Sequence, residues 1–296
     1  MRWFILFFVC LLGSCRAELV PFFSNPAYTR DEPTNPPWFV LNSGQPSVLY
    51  YNGVYQSEEV GCDDLDLPLA WLIQPRGVKV GILDMTTHGA RTLALVNTVS
   101  PGSVVYYIAL SRWSARELAA GITDAVGSGC RVVVISTGFS GPDPGLFSAC
   151  VDAQAHNVLL VCAVPNVEGD LESGLVDYPY SWSAQLYNIL GVNCTDRAGN
   201  HYAPSAHGVH VIGAPGRNIV AAGTYSSGTS WSAPIAAGCA SLVIARAPGQ
   251  SVGFYRSLLE VTAVGPAKRI DVVMALRKAR PKQPLRLPEA VSFYEK

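Results

Sequence analysis

Residues 235–245 read Ile-Ala-Ala-Gly-Cys-Ala-Ser-Leu-Val-Ile-Ala, with no charged side chain among them. A helix that is apolar on every side is buried on every side. This segment therefore runs through the middle of a core, and the rest of the chain must supply the layers that cover it. In front of it stand Gly228-Thr229-Ser230-Trp231-Ser232-Ala233-Pro234. Proline is tolerated in a helix only in the first turn, so Pro234 marks the helix start. Ser230 then lies at the mouth of the helix, where unpaired N–H groups and the positive end of the dipole favour an oxyanion. Two readings of this serine compete: an ordinary cap on a core helix, and a nucleophile held rigidly by the buried segment behind it.

The covering layers are legible as an alternation of strand and helix patterns. Residues 78–83, Val-Lys-Val-Gly-Ile-Leu, form a β-rich run ending at Asp84, which reads as a buried strand with a carboxylate at its C-terminal end. Ser114-Ala115-Arg116-Glu117 is a capping box opening a helix to about Val126, with Gly127 and Gly129 ending it. Further strands are expected at 131–135, 158–163, 188–192 and 209–212, and further helices at 144–156, 252–262 and 270–280. Such alternation predicts an α/β fold, three layers α/β/α around a mainly parallel sheet, with active groups at the carboxyl ends of the strands. With 296 residues, 49% hydrophobic and 15% charged, the chain can bury a core of that kind as one domain, placed here at 67–280.

The two ends read differently. Residues 1–17 carry Arg2, an apolar run from Trp3 to Leu12 and then small residues, the pattern of a secretory signal and too short for a spanning helix. Leu12-Gly13-Ser14-Cys15 resembles a bacterial lipobox with Cys15 as the lipidated residue, and Cys15-Arg16-Ala17 could equally precede an ordinary signal-peptidase cut. The expectation is a secreted or extracytoplasmic protein that meets a membrane only if a lipid is attached at Cys15. Residues 18–66, rich in Pro, Asn, Tyr and Ser, are expected to form an irregular N-terminal arm. The basic run from Lys278 to Arg286, broken by Pro281 and Pro284, leads into a solvated tail at 281–296. A net charge of −1 and no basic stripe interleaved with aromatics argue against a nucleic-acid partner.

Six cysteines lie beyond the signal segment: Cys62, Cys130, Cys150, Cys162, Cys194 and Cys239. Export would let some of them pair, in a pattern that spacing does not choose. Cys162 and Cys239 sit in apolar runs and read as small buried hydrophobes. Asn193-Cys194-Thr195 is a glycosylation sequon, useful only in a eukaryotic host.

Acyl transfer by a serine needs a base to accept its proton, a carboxylate to orient that base, and donors for the oxyanion. Asp84 ends the first strand; His88, in Thr87-His88-Gly89, stands where an apolar helix containing Leu93, Ala94, Leu95 and Val96 begins; Asn166 follows the strand at 158–163. The order Asp, His, Ser is one of three chain orders in which this triad occurs. Singly, each has a plain structural reading: a cap for Asp84, a polar helix-start residue for His88, a turn residue for Asn166. The remaining histidines, His156, His201, His207 and His210, match no motif and read as surface or strand residues. No metal-ligand spacing is present, and no metal or other cofactor is expected.

From about Leu69 to Ala279 the chain resembles the subtilisin-like serine proteases, the subtilase (S8-type) family. Gly228 to Pro234 is similar to the family's Gly-Thr-Ser-Met-Ala-(Ser/Ala)-Pro motif, with Trp231 for the usual methionine and Ser232 for the usual alanine. His88-Gly89-Ala90 resembles its His-Gly-Thr, Ala163-Val164-Pro165-Asn166 its Ala-Ala-Gly-Asn, Ser136-Thr137-Gly138-Phe139 its Ser-Leu-Gly-Gly, and Ala214-Pro215-Gly216 its Ala-Pro-Gly. The resemblance implies a serine endopeptidase acting on polypeptides through an acyl-enzyme, and a monomer is expected. Asp84, His88 and Ser230 would be catalytic, Asn166 and the Ser230 N–H would bind the oxyanion, and Ser136, Thr137, Gly138 and Phe139 would bind substrate. Phe139 is bulkier than the family residue there, which implies a constricted or aromatic-lined pocket for the residue before the scissile bond.

The departures from the family pattern are also specific. Only Met85-Thr86-Thr87 separates Asp84 from His88, where subtilases carry a few tens of residues. Four extended residues span at most roughly 13–14 Å and a tight turn much less, so the two side chains meet if the chain folds back sharply after Asp84. Two other functions fit the same fold. One is an inactive subtilase-fold binding protein, supported by the short connection, by Trp231 and by the lack of a recognisable prodomain. The other is a transpeptidase or macrocyclase that passes the acyl group to an amine.

Overall fold

The structure, a computed structural model, describes residues 39–40, 47–51, 54–59, 64–221 and 224–279. Residues 1–17, where a signal segment with Cys15 is expected, most of the arm at 18–66, Cys62 and the tail at 281–296 lie outside the described residues. Where irregular chain was expected before residue 66, an antiparallel hairpin is found, β1 (Ser47–Tyr51) with β2 (Val54–Glu59). Val48, Leu49, Tyr50 and Tyr51 on one side and Val54 and Tyr55 on the other favour strands, and Asn52-Gly53 between them is a hairpin signal that the Pro-rich composition of the arm obscures.

The body follows in order: α1 (Leu67–Ile73), β3 (Val80–Asp84), α2 (Thr86–Val99), β4 (Val105–Ala109), α3 (Ala115–Gly127), β5 (Val132–Ile135), α4 (Pro144–Ala155), β6 (Leu159–Ala163), β7 (Ile189–Thr195), β8 (Val211–Pro215), β9 (Ile219–Ala221), β10 (Thr224–Ser226), α5 (Thr229–Arg246), α6 (Val252–Thr262) and α7 (Val272–Lys278). Six strands form one parallel sheet in the order β4-β3-β5-β6-β7-β8, and β9 and β10 form a separate small hairpin. The inner strands β3, β5, β6 and β7 are buried throughout, as continuous aliphatic runs covered on both faces must be, and so is the edge strand β8. Strand alternation assigns the faces. Val80, Ile82, Val132, Val134, Leu159 and Val161 pack with α2 and α5, whereas Leu83, Val133, Ile135, Leu160 and Cys162 pack with α3 and α4. The architecture is the expected α/β/α arrangement with a mainly parallel sheet.

The helix behind Ser230 is as buried as its composition demands. From Thr229 to Ile244 every residue of α5 is buried except Ser230 itself. Gly238 lets α2 approach closely, since a Cβ there would come within 2.7 Å of Val99. The helix starts earlier than Pro234 indicated: Thr229 is its first residue, so Pro234 lies in the second turn. Residue 234 therefore has no N–H for the carbonyl of Ser230. Packing on all sides outweighs that lost bond, and Ser230 occupies the first turn rather than a position before the helix.

Local chemistry sets the other helix starts. Ser114 accepts from the Glu117 N–H at 3.2 Å, but the Glu117 carboxylate turns to Ser111 and Arg112 instead of closing the box on Ser114. Asp143 caps α4, Ser251 caps α6 and Asp271 caps α7, each accepting from the N–H three residues on. The five described cysteines are buried and free of disulfides, and burial pushes the Cys150 and Cys194 thiols up to about 12, away from thiolate chemistry. Asn193 lies inside β7 with 4% exposure, so the sequon is closed to a glycan in the folded protein.

Candidate active site

The site begins where β3 runs into α2. Asp84 is the last residue of β3 and fully buried; Met85, extended at φ −79° and ψ 149°, is the helix N-cap. One carboxylate oxygen of Asp84 accepts from the Met85 N–H at 2.7 Å. The other accepts from Thr92 Oγ1 at 2.8 Å and lies 2.7 Å from His88 Nδ1. The chain does not fold back after Asp84, as the short connection had suggested it must. It goes directly into the helix, and residues four apart there share one face. An ionised carboxylate only accepts, so His88 carries its proton on Nδ1 and leaves Nε2 as the acceptor.

Gly89 makes room for the supporting layer. A Cβ at that position would lie 2.3 Å from the ring of Tyr107, whose hydroxyl donates to the Asp84 carbonyl at 3.1 Å. Burial, then the Asp84 charge, raises the Tyr107 hydroxyl above its usual range and keeps it protonated as a donor. Thr92 and Tyr107 carry no family signal. Thr92 could have been found by helix periodicity, four residues after His88 and eight after Asp84.

Ser230 comes to the same region from α5. Gly228, at φ +143°, is the helix N-cap and its N–H donates to the Gly216 carbonyl at 3.0 Å, which ties the Ala214-Pro215-Gly216 segment to the turn before Ser230. Thr229 is locked by its hydroxyl on the Val164 carbonyl at 2.6 Å and by its N–H on Asn166 Oδ1 at 2.9 Å. With its amide oxygen so engaged, Asn166 is left with its NH2 as a donor. Ser230 Oγ donates to the Ser136 carbonyl at 3.4 Å, which joins the residue after β5 to the start of α5. The next residue, Trp231, stacks on His88 with ring centroids 4.6 Å apart and 25° between planes. Arg91 lies over the Trp231 ring, 5.7 Å from its centroid.

Asp84, His88, Ser136, Asn166 and Ser230 are thus drawn together at the C-terminal ends of β3, β5 and β6 and the N-terminus of α5. Phe139 is placed differently from an open substrate strand. Its N–H and carbonyl pair with Tyr178 at 3.0 and 2.8 Å, and its side chain packs into the cluster around α3 and α4. The remaining histidines serve local structure. His210 pairs with Glu260 at 2.9 Å, His156 with Asp152 at 3.2 Å, His207 lies 3.9 Å from Asp170, and His201 donates to the Ser205 carbonyl at 2.9 Å.

The model of the subtilase family matches residues 77–287. M-protease of Shouchella clausii is 32% identical over 195 residues, 60% of this chain and 49% of the relative. Subtilisin Savinase of Lederbergia lenta is 32% identical over 193 residues, 60% of this chain and 69% of the relative. The chain thus spans about half the length of M-protease. Among solved structures, the nisin leader peptidase NisP of Lactococcus lactis superposes with a TM-score of 0.62 at 16% identity, covering 71% of this chain and 91% of that one. The prenylagaramide maturation protease PagA superposes with a TM-score of 0.61 at 21% identity, covering 72% and 97%. These likenesses show the fold, and the family match spans every residue of the Asp84, His88, Asn166 and Ser230 cluster. The chain belongs to the subtilase family.

Proposed function

We propose that the protein is a serine endopeptidase that hydrolyses polypeptides through an acyl-enzyme on Ser230. The observation that carries this reading is the 2.7 Å contact between Asp84 and His88 Nδ1 beside the helix that bears Ser230. The short Asp84–His88 connection, which had favoured an inactive member of the family, does not separate the pair. In the reaction Ser230 Oγ turns from the Ser136 carbonyl, passes its proton to His88 Nε2 and attacks the substrate carbonyl carbon. The oxyanion is met by the Ser230 N–H and Asn166 Nδ2, and Asp84 stabilises the imidazolium. Breaking the C–N bond returns that proton to the leaving amine. Water, deprotonated by the same nitrogen, then releases the acid and restores the Ser230 hydroxyl.

The apolar run from Trp3 to Leu12 supports export, and we place the protein outside the cytoplasm. Among the described residues no helix is long and apolar enough to cross a membrane. The test is a fluorophosphonate probe on folded protein, with digestion of a denatured protein in parallel. An adduct on Ser230, absent from Ser230→Ala and slowed in Asp84→Asn, is expected. Folded wild type that forms no adduct and leaves the denatured protein intact would refute the reading.

A further inference from the structure

We propose that Asp177 forms the floor of the pocket for the residue before the scissile bond and selects lysine or arginine there. This rests on the endopeptidase reading above and adds to it a substrate class.

The placement follows from the segment after β5. The Ser136 carbonyl accepts from Ser230 Oγ, and Gly138 stands two residues further on, about 7 Å along extended chain. A Cβ on Gly138 would lie 1.7 Å from Asp177 Oδ1 and 2.4 Å from its carboxyl carbon. The carboxyl group therefore occupies the space that a side chain at 138 would fill, and only glycine admits it. Residue 177 is held there by its neighbours. Tyr178 pairs with Phe139 through both backbone groups, the Asp177 N–H donates to Ser181 Oγ at 2.9 Å, and the Asp177 carbonyl accepts from the Ser181 N–H at 2.8 Å.

The chemistry of the group asks for a cation. Asp177 is 7% exposed, and among the described residues no hydrogen bond or ion pair reaches its carboxylate. Burial alone pushes the carboxyl up to about 7. A structural carboxylate this deep is normally paired or hydrogen-bonded, as Asp84 is. One left open against Gly138, two residues after the Ser136 carbonyl that holds Ser230, is suited to a charge that arrives with the substrate. Lysine and arginine carry that charge at the end of an apolar stem of three or four methylenes, which spans the distance from a scissile bond at Ser230 to a carboxylate beyond Gly138. A guanidinium would engage both oxygens at once.

The test compares kcat/KM for peptides that differ only in having Arg, Lys, Leu or Phe before the scissile bond, in wild type and in Asp177→Asn and Asp177→Ser. It also measures benzamidine binding by calorimetry to Ser230→Ala, with and without Asp177→Asn. The wild type is expected to prefer Arg or Lys over Leu on the order of 100-fold, and the variants to lose most of that ratio. Benzamidine is expected to bind Ser230→Ala and to lose that binding with Asp177→Asn. Cleavage without a basic preference, together with benzamidine binding indifferent to Asp177, overturns the proposal and leaves the endopeptidase reading intact. No cleavage of any peptide, together with Asp177-dependent benzamidine binding, sustains the pocket and removes the endopeptidase reading. Should neither Asp177 variant fold, the wild-type preference and benzamidine binding to Ser230→Ala decide.

Discussion

The indole of Trp231 lies stacked on the imidazole of His88, so the residue after the candidate nucleophile fixes the face of the candidate base. Asp84 holds the edge of the same ring at Nδ1, and the ring remains 29% exposed. Stacked aromatic pairs contribute about 0.5–1.5 kcal/mol beyond simple burial, and about 1.4 kcal/mol is tenfold in rate. Trp231→Met, which restores the common subtilase residue, is expected to lower kcat on a peptide substrate by about three- to tenfold with little change in KM. Trp231→Phe should retain most of the rate. Equal kcat for Trp231→Met and wild type would show that the stack contributes nothing to positioning.

Asp84 does three things at once: it anchors the Met85 N–H, accepts from Thr92 and orients His88. An asparagine keeps the shape but can present an NH2 to Nδ1, which selects the wrong imidazole tautomer. Asp84→Asn is therefore expected to lower kcat by about 10⁴-fold with the fold retained by circular dichroism. Thr92→Val removes one hydrogen bond from a buried charge and should cost about tenfold. Fluorophosphonate labelling rates on both variants check this order, and a Thr92→Val loss as large as that of Asp84→Asn would contradict it.

Asn166 depends on the glycine opposite it. Its Oδ1 accepts from Thr229, and a Cβ on Gly228 would stand 3.0 Å from that oxygen in a backbone conformation at φ +143° that other residues rarely adopt. Asn166→Ala should lower kcat by about 10² to 10³-fold with KM nearly constant, the magnitude established for the side-chain oxyanion donor in subtilisin, a relative of this chain. Gly228→Ala should reproduce part of that loss and also destabilise the fold by about 1–3 kcal/mol. Comparing kcat and KM separately distinguishes lost transition-state contact from lost substrate binding.

Where burial dictates composition, the fold was readable from residues alone. The inner strands are unbroken aliphatic runs, and α5 has no polar face to mislead. β4 went unread because it is an edge strand with Tyr106 and Tyr107 half-buried, and α1 because it is one short helix led by Pro68 without a capping side chain. Pro234 misplaced the start of α5, because its penalty is local while the packing that overrides it comes from the whole core. The site residues were legible as types in order, but not their geometry. Whether Asp84 reaches His88 depends on β3 passing straight into a helix, and the burial of Asp177 depends on a long-range pairing between Phe139 and Tyr178 that no local pattern announces.

Asp177 also makes a stability prediction whose sign is fixed by its burial. Its carboxyl titrates at about 7 in the folded protein against 3.8 as the ordinary value. Below pH 3.8 both folded and unfolded chains hold the proton, and the group costs nothing. Between 3.8 and 7 the folded chain keeps the proton that the unfolded chain has lost, so stability falls as pH rises, and above 7 the full cost is present. At about 1.4 kcal/mol per unit that cost is at most about 4 kcal/mol. Asp177→Asn removes it, so in a Ser230→Ala background, chosen to prevent self-digestion, the variant should be the more stable protein at pH 8. The gain should shrink steadily as pH falls towards 4.5, read as urea unfolding midpoints across that range. A cation seated against the carboxylate offsets the same cost, so benzamidine should raise the midpoint of the Asp177 protein at pH 8 and leave that of Asp177→Asn where it was. A stability difference that does not change with pH would mean that the carboxylate is already solvated or paired, and both expectations would fail together.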